Sequence, residues 1–90
     1  GNRIYIGKKA EFIVGKYADL ILNEGAEIIV EKGGRLILRD QGQLKLARGG
    51  KVTVKRGGRL IIEASAHPTQ DLEEGLQLER GAKLINQLSP

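Results

Sequence analysis

Cysteine, methionine and tryptophan are absent from this 90-residue chain, and only three residues are aromatic. Without cysteine no disulfide can form, so other contacts must hold the fold together. A zinc site would need several His or Cys ligands, and the single histidine, His67, cannot supply them. No run approaches the roughly 18 consecutive apolar residues of a membrane-spanning helix. We therefore expect no metal or other cofactor and no insertion into a membrane.

Apolar residues recur in a short and regular pattern along the chain. Every eight residues a triplet begins whose first and third residues are apolar, except that Pro68 and Gln70 break one unit and Asn86 ends the last triplet. This alternation is the signature of a β-strand, because successive side chains point to opposite faces. The triplets begin at Ile4, Phe12, Leu20, Ile28, Leu36, Leu44, Val52, Leu60, Leu76 and Leu84. The residues between triplets are rich in glycine and charge, which predicts tight corners.

The sequence also repeats with a longer period of 24 residues, which equals three of the eight-residue units. Residues 30–38 closely match residues 54–62, and 78–86 is a looser copy, whereas shifts of 8 or 16 preserve only the apolar triplet. Self-similarity on this scale is typical of a solenoid. We therefore predict an all-β fold, a single-stranded parallel β-helix that is triangular, with three eight-residue sides in each 24-residue coil. Residues 1–90 would form one domain of just under four coils, which we expect to be a fragment of a larger protein.

The middle residue of each triplet should point outward, and on one side of the predicted triangle it is always isoleucine. We call these residues, Ile13, Ile37, Ile61 and Ile85, the isoleucine ladder. A contiguous apolar strip on a surface often marks a contact site, so the ladder predicts a docking face. The expected partner is the rest of the parent protein or a second copy of the chain. The alternative is that β-branched residues simply suit strands.

Basic residues exceed acidic residues by four, and the excess follows the 24-residue cycle. One row of equivalent corner positions contains Lys8, Lys32, Arg56 and Arg80, and a second contains Arg35, Arg59 and Lys83, preceded by Glu11. These rows indicate a possible anion-binding ladder for an acidic polysaccharide. The alternative is that Lys and Arg were inherited when a repeat was duplicated. We expect no nucleic acid partner, because neither interleaved aromatic residues nor a groove-entering helix is present.

The unit at 63–75 breaks the pattern while keeping its length. Pro68 stands where an inward aliphatic residue is expected, and it lacks the N–H that a central strand donates. An irregular loop is therefore predicted, which would be either a binding loop or a decayed repeat. We expect no catalytic or metal-binding role for His67. The acidic residues Asp71, Glu73 and Glu74 fit a solvated charge run better than a calcium-binding loop.

The repeated phrase apolar-x-x-Gly-Gly-Arg-Leu-Ile-apolar, at 30–38 and 54–62, resembles the repeats in parallel β-helix (β-solenoid) regions of large secreted and cell-surface bacterial proteins. The resemblance covers most of the chain. It implies right-handed winding, an extracellular or cell-surface location in a bacterium, and a role in display, spacing or adhesion. Polysaccharide lyases resemble the chain in architecture only, since they place acidic and basic residues on an outward strand face. Here Lys45 alone among the middle residues is charged.

Two classes of function are expected. The first is a non-catalytic structural and interaction module, a rigid segment of a bacterial surface or secreted protein that docks or self-associates through the isoleucine ladder. The alternative is an acidic-glycan-binding module, or a fragment of a polysaccharide-active enzyme, that uses the basic corner rows. No enzymatic activity is expected of the chain itself.

Overall fold

The computed structural model describes residues 2–46, 49–63 and 75–87. These residues form an all-β fold of ten short strands. The strands are β1 (Arg3–Ile6), β2 (Glu11–Val14), β3 (Asp19–Leu22), β4 (Glu27–Val30), β5 (Arg35–Leu38), β6 (Gln43–Leu46), β7 (Lys51–Val54), β8 (Arg59–Ile62), β9 (Leu76–Leu78) and β10 (Lys83–Asn86). Each contains one of the predicted apolar triplets, and all except β9 begin one residue before it. The predicted strand positions are therefore confirmed.

The strands are paired in parallel throughout the described residues and build three sheets. Sheet 1 has the order β1-β4-β7-β9, sheet 2 has the order β2-β5-β8-β10, and sheet 3 contains β3 and β6. Paired residues stand 24 positions apart in the sequence, as Ile4 and Ile28 do in sheet 1. Equivalent residues of successive repeats thus lie side by side, at the strand spacing of about 4.8 Å. The expected all-β class with parallel strands is confirmed.

The inward side chains of the three sheets meet in one aliphatic core. Val52 of sheet 1, Leu36 of sheet 2 and Leu44 of sheet 3 are each 0% exposed. Burying an aliphatic side chain of this size contributes roughly 1.5–3 kcal/mol, so the stack is a large stabilising contribution. At β9 and β10 the stack is less well covered, because Leu78 and Leu84 keep 45% and 41% of their surface exposed.

Tight turns join successive strands, and some of them require glycine. In the turn from β5 to β6, the N–H of Gly42 donates to the carbonyl oxygen of Arg39 at 2.8 Å. A Cβ atom on Gly42 would overlap the carbonyl oxygen of Val14 in the neighbouring repeat. Gly7 is the opposite case, since nothing lies within 4 Å of the place its Cβ would take. Glycine is therefore a packing requirement at the first of these corners and not at the second.

The predicted irregular unit at 63–75 lies outside the described residues, except for its first and last positions. The expectations that fall outside them concern His67, Pro68, Asp71, Glu73 and Glu74.

Candidate functional site

The isoleucine ladder lies on the outward face of sheet 2. The register of β2, β5, β8 and β10 places Ile13, Ile37, Ile61 and Ile85 side by side in one row. The two ends of this row are open to solvent, with 47% of Ile13 and 39% of Ile85 exposed, whereas Ile37 is only 4% exposed. The exposed apolar surface of the ladder is thus concentrated at its ends.

Ion pairs border the isoleucine ladder at both ends of its strands. Glu11 and Arg35, at the starts of β2 and β5, form a pair of 3.2 Å. Arg39 and Glu63, which follow β5 and β8, form a pair of 2.8 Å. The Nε atom of Arg39 is buried and has no hydrogen-bond partner, so this side chain is held close against the protein. The apolar row therefore has a polar rim, as contact surfaces in proteins commonly do.

The basic rows lie at the corner between sheet 1 and sheet 2, where four equivalent turns are stacked. Each turn is closed by a hydrogen bond from its fourth residue to its first, as from the N–H of Gly34 to the carbonyl of Glu31 at 2.8 Å. The third residue of each turn has a φ between 67° and 91°, which is the mark of a type II turn. These third residues are Lys9, Gly33, Gly57 and Gly81. Backbone hydrogen bonds of 3.0–3.2 Å connect them from turn to turn, so the corner is as regular as the sheets.

Glycine at the third turn position leaves room for the cationic side chain of the preceding repeat. A Cβ atom on Gly57 would lie 2.8 Å from Cγ of Lys32, and one on Gly81 would lie 2.8 Å from Cγ of Arg56. These glycines therefore serve the positive φ and a close approach at the same time. As a result, the stem of each cation lies flat over the glycine of the next repeat.

We call the strip between the two cationic rows the basic groove. One wall is Lys8, Lys32, Arg56 and Arg80, the other is Glu11, Arg35, Arg59 and Lys83, and the floor is Gly33, Gly57 and Gly81. The structure thus brings all seven cations of the predicted anion-binding ladder to one corner. Whether they bind an anion stays a prediction.

Three surface depressions are lined by residues of this corner. One of about 580 Å³ lies beside Lys9 and Arg35. A smaller one of about 110 Å³ lies between Arg35 and Arg59. A third, of about 460 Å³, lies beside Arg56 and Arg80. The groove is therefore a row of shallow openings along the stacked repeats rather than one enclosed cavity.

Ion pairing leaves most cations of the basic groove without a carboxylate partner. The described ion pairs are Arg3–Glu27, Arg35–Glu11, Arg39–Glu63, Lys45–Asp19 and Lys55–Glu79. Of these pairs, only Arg35–Glu11 lies in the groove. Within the described ranges, Lys8, Lys32, Arg56, Arg59, Arg80 and Lys83 form no ion pair. Positive charge is therefore balanced locally over much of the surface and left unbalanced at this corner.

Sequence reasoning missed a polar contact on the outward face of sheet 1. Thr53 is a middle residue of its triplet, yet only 7% of it is exposed. Its hydroxyl donates a hydrogen bond of 2.7 Å to Oε2 of Glu27, and Oε1 of Glu27 lies 3.6 Å from Nε of Arg3. Thr53 and Glu27 stand 26 positions apart, so the 24-residue cycle alone does not predict the contact. Strand pairing together with the reach of a glutamate side chain would have been the signal.

The described residues contain no group of three or more His, Cys, Asp or Glu side chains suited to hold a metal ion. The same part of the chain contains no helix that is long and apolar enough to span a membrane. No family model, no curated protein and no solved structure matches this chain.

Proposed function

We propose that the chain is a segment of a three-sided parallel β-solenoid built from 24-residue coils. The register supports this, since partners stand 24 positions apart in all seven strand pairs of the described residues. Between β1 and its partner β4, the chain contributes one strand to sheet 2 and one to sheet 3, which is the path of a three-sided coil. The 90 residues make just under four such coils. Parallel crossovers are right-handed almost without exception, which supports the same winding here.

The solenoid segment serves as a rigid structural and interaction module of a secreted or surface protein of a bacterium. The observation that carries this proposal is the aliphatic core, in which Leu36 and Leu60 of neighbouring strands are both 0% exposed. Each repeat in such a stack is stabilised mainly by its neighbours, so the repeats hold together as one rigid unit. A non-catalytic role is supported by the outward strand faces, where no middle residue of a triplet is acidic and Lys45 alone is charged.

The docking face of the module is the isoleucine ladder, and its partner is a second copy of the chain. The ladder is the same on every copy, so two ladders can meet face to face about a two-fold axis. The size of the contact decides its strength. Four strands of about 4.8 Å spacing and about four residues each present on the order of 200 Å², against about 800 Å² per partner in a stable complex. The association is therefore weak and depends on concentration.

Light scattering of the chain over a range of concentrations tests this docking. For the wild-type chain we expect the average mass to rise with concentration. In the double variant Ile13→Lys/Ile85→Lys the mass should stay that of a monomer, because both exposed ends of the ladder then carry charge into the contact. The matched control is Tyr5→Lys/Ile21→Lys, which adds the same charge at side chains that are 57% and 56% exposed on the other two sheets.

The control should associate like the wild-type chain. A wild-type chain that is monomeric at every concentration would overturn self-docking through the ladder. So would an Ile13→Lys/Ile85→Lys variant that associates as strongly as the wild-type chain does.

A further inference from the structure

We propose that the basic groove binds a linear acidic polysaccharide, one that carries carboxylate groups, along the axis of the stacked repeats. The groove follows the corner between sheets 1 and 2 and the ladder occupies the face of sheet 2, so the two surfaces are neighbours that share the Glu11–Arg35 pair at their common edge. Charge, shape and the absence of stacking side chains each support this ligand.

Unbalanced charge is the first support. Equivalent residues in the groove, such as Lys32 and Arg56, stand one strand spacing apart, about 4.8 Å along the axis. Like charges repel at this distance, even in water. Arg35 relieves the repulsion by pairing with Glu11 at 3.2 Å, whereas Arg59 pairs with no carboxylate in the described ranges. A ligand with repeated negative charges would supply the missing partners along the whole groove.

The shape of the groove favours an extended chain over a compact anion. The depressions at this corner are separate and shallow, and they are distributed along the stacked repeats. The side-chain stems of Lys8 and Lys32 lie over Gly33 and Gly57, so a ligand would meet the charged ends of these lysines and not the backbone. Arginine adds specificity, because its planar guanidinium can hold a carboxylate with two parallel hydrogen bonds. An unbranched polymer that lies along the groove can contact the cations of successive repeats.

The residues of the groove favour a polysaccharide over a single-stranded nucleic acid. Proteins that bind single strands without sequence preference stack the bases on aromatic side chains. No wall or floor residue of the groove is aromatic. The exposed tyrosines lie elsewhere, Tyr5 on sheet 1 and Tyr17 in the turn between β2 and β3. The groove therefore offers charge and hydrogen bonds without a stacking surface.

Fluorescence anisotropy with a labelled oligogalacturonate tests the proposal. The wild-type chain should bind this probe at low ionic strength, more weakly as salt is added, and should not bind a neutral dextran of equal length. The double variant Arg56→Glu/Arg80→Glu should bind at least about tenfold more weakly, since two attractive contacts become repulsive. The milder pair Arg56→Gln/Arg80→Gln should lose less, and it keeps the test valid if charge reversal perturbs folding, which circular dichroism would reveal.

The matched control is Lys16→Glu/Lys51→Glu, which reverses two exposed cations outside the groove walls. Both double charge reversals take the net charge from +4 to 0, so a difference between them reports position and not total charge. The control should bind within about twofold of the wild-type chain, a difference well under the 1.4 kcal/mol that corresponds to tenfold. The variant Ile13→Lys/Ile85→Lys should also bind, which separates this site from the self-docking surface.

Three results would overturn the proposal. The first is that the wild-type chain does not bind the oligogalacturonate at low salt. The second is an equal loss of binding in the control, which would mean a diffuse charge effect. The third is tighter binding of single-stranded DNA of the same charge, which would make nucleic acid the ligand.

Discussion

Most ion pairs in the described residues join side chains at equivalent positions of neighbouring repeats. Four of the five described ion pairs, for example Arg39–Glu63 and Lys55–Glu79, join residues that stand 24 positions apart. Such pairs are partly exposed, so each contributes about 0.2–1 kcal/mol at most. They matter more for register than for stability, because a strand shifted by one residue would lose its partner charges and turn its apolar residues outward.

Replacing Gly42 with alanine should destabilise the protein by about 1–3 kcal/mol. The added Cβ would overlap the carbonyl oxygen of Val14. Hydrogen bonds hold the backbone on both sides of this contact, since Gly42 donates to Arg39 and Arg39 donates to Val14. The matched control is Gly7→Ala, where nothing lies within 4 Å of the new atom. The control should be neutral or stabilising by up to about 1 kcal/mol, because alanine restricts the unfolded chain. Denaturant unfolding measures both, and equal stabilities would contradict the account of the corner.

Residue-level detail was only partly predictable from the sequence. The alternation within the triplets correctly gives Leu36 and Val52 as inward residues, because it follows directly from strand geometry. It does not give the burial of Thr53 or of Ile37, which are 7% and 4% exposed. Both are middle residues, and their exposure depends on neighbouring side chains that alternation along a single strand does not describe.

At the scale of elements, no strand could be stable alone. Each has three or four residues, and even a two-stranded hairpin is only marginally stable in water. The inner strands, such as β5, pair on both edges, whereas β2 and β10 end sheet 2 and pair on one edge among the described strands. Cooperative stacking of repeats therefore makes the inner strands the most stable part of the fold.

Leu36→Ala and Leu84→Ala compare an inner strand with an end strand at equivalent positions of sheet 2. Leu36 is 0% exposed and Leu84 is 41% exposed. The first substitution should cost about 2–5 kcal/mol, because it removes buried surface and leaves a cavity. The second should cost about 1 kcal/mol or less, since much of that side chain already contacts solvent. Thermal or denaturant unfolding measures the difference, and similar losses at both sites would be inconsistent with this core.

Element boundaries were predicted to within one residue. The triplet starting at Phe12 predicts β2, which in the structure begins at Glu11. The extra residue has an outward side chain that the apolar pattern does not mark. Its parallel pairing with Arg35 places it in the sheet all the same. A hydropathy pattern cannot predict polar residues at the starts of strands, because only backbone pairing places them in the sheet.

At the scale of the whole molecule, stacking of the repeats places equivalent residues in rows, and two of the resulting surfaces are the isoleucine ladder and the basic groove. Comparison of the sequence with itself at a shift of 24 predicts which residues share a row, and the strand register agrees for Ile37 and Ile61. The same comparison could not predict the basic groove as a groove. The form of its floor depends on the way Lys32 packs over Gly57, which is a matter of side-chain packing between repeats.

The central claim is that each strand of the chain pairs in parallel with the equivalent strand of the next repeat, 24 positions away in the sequence. Nuclear Overhauser effects measured on the isotope-labelled protein test it most directly, because opposed residues of paired strands lie about 4.8 Å apart. We expect cross-peaks that connect Ile37 with both Ile13 and Ile61, in the pattern of parallel strands. Cross-peaks that connect Ile37 instead with residues 8 or 16 positions away, or an antiparallel pattern anywhere among β1 to β10, would contradict the account.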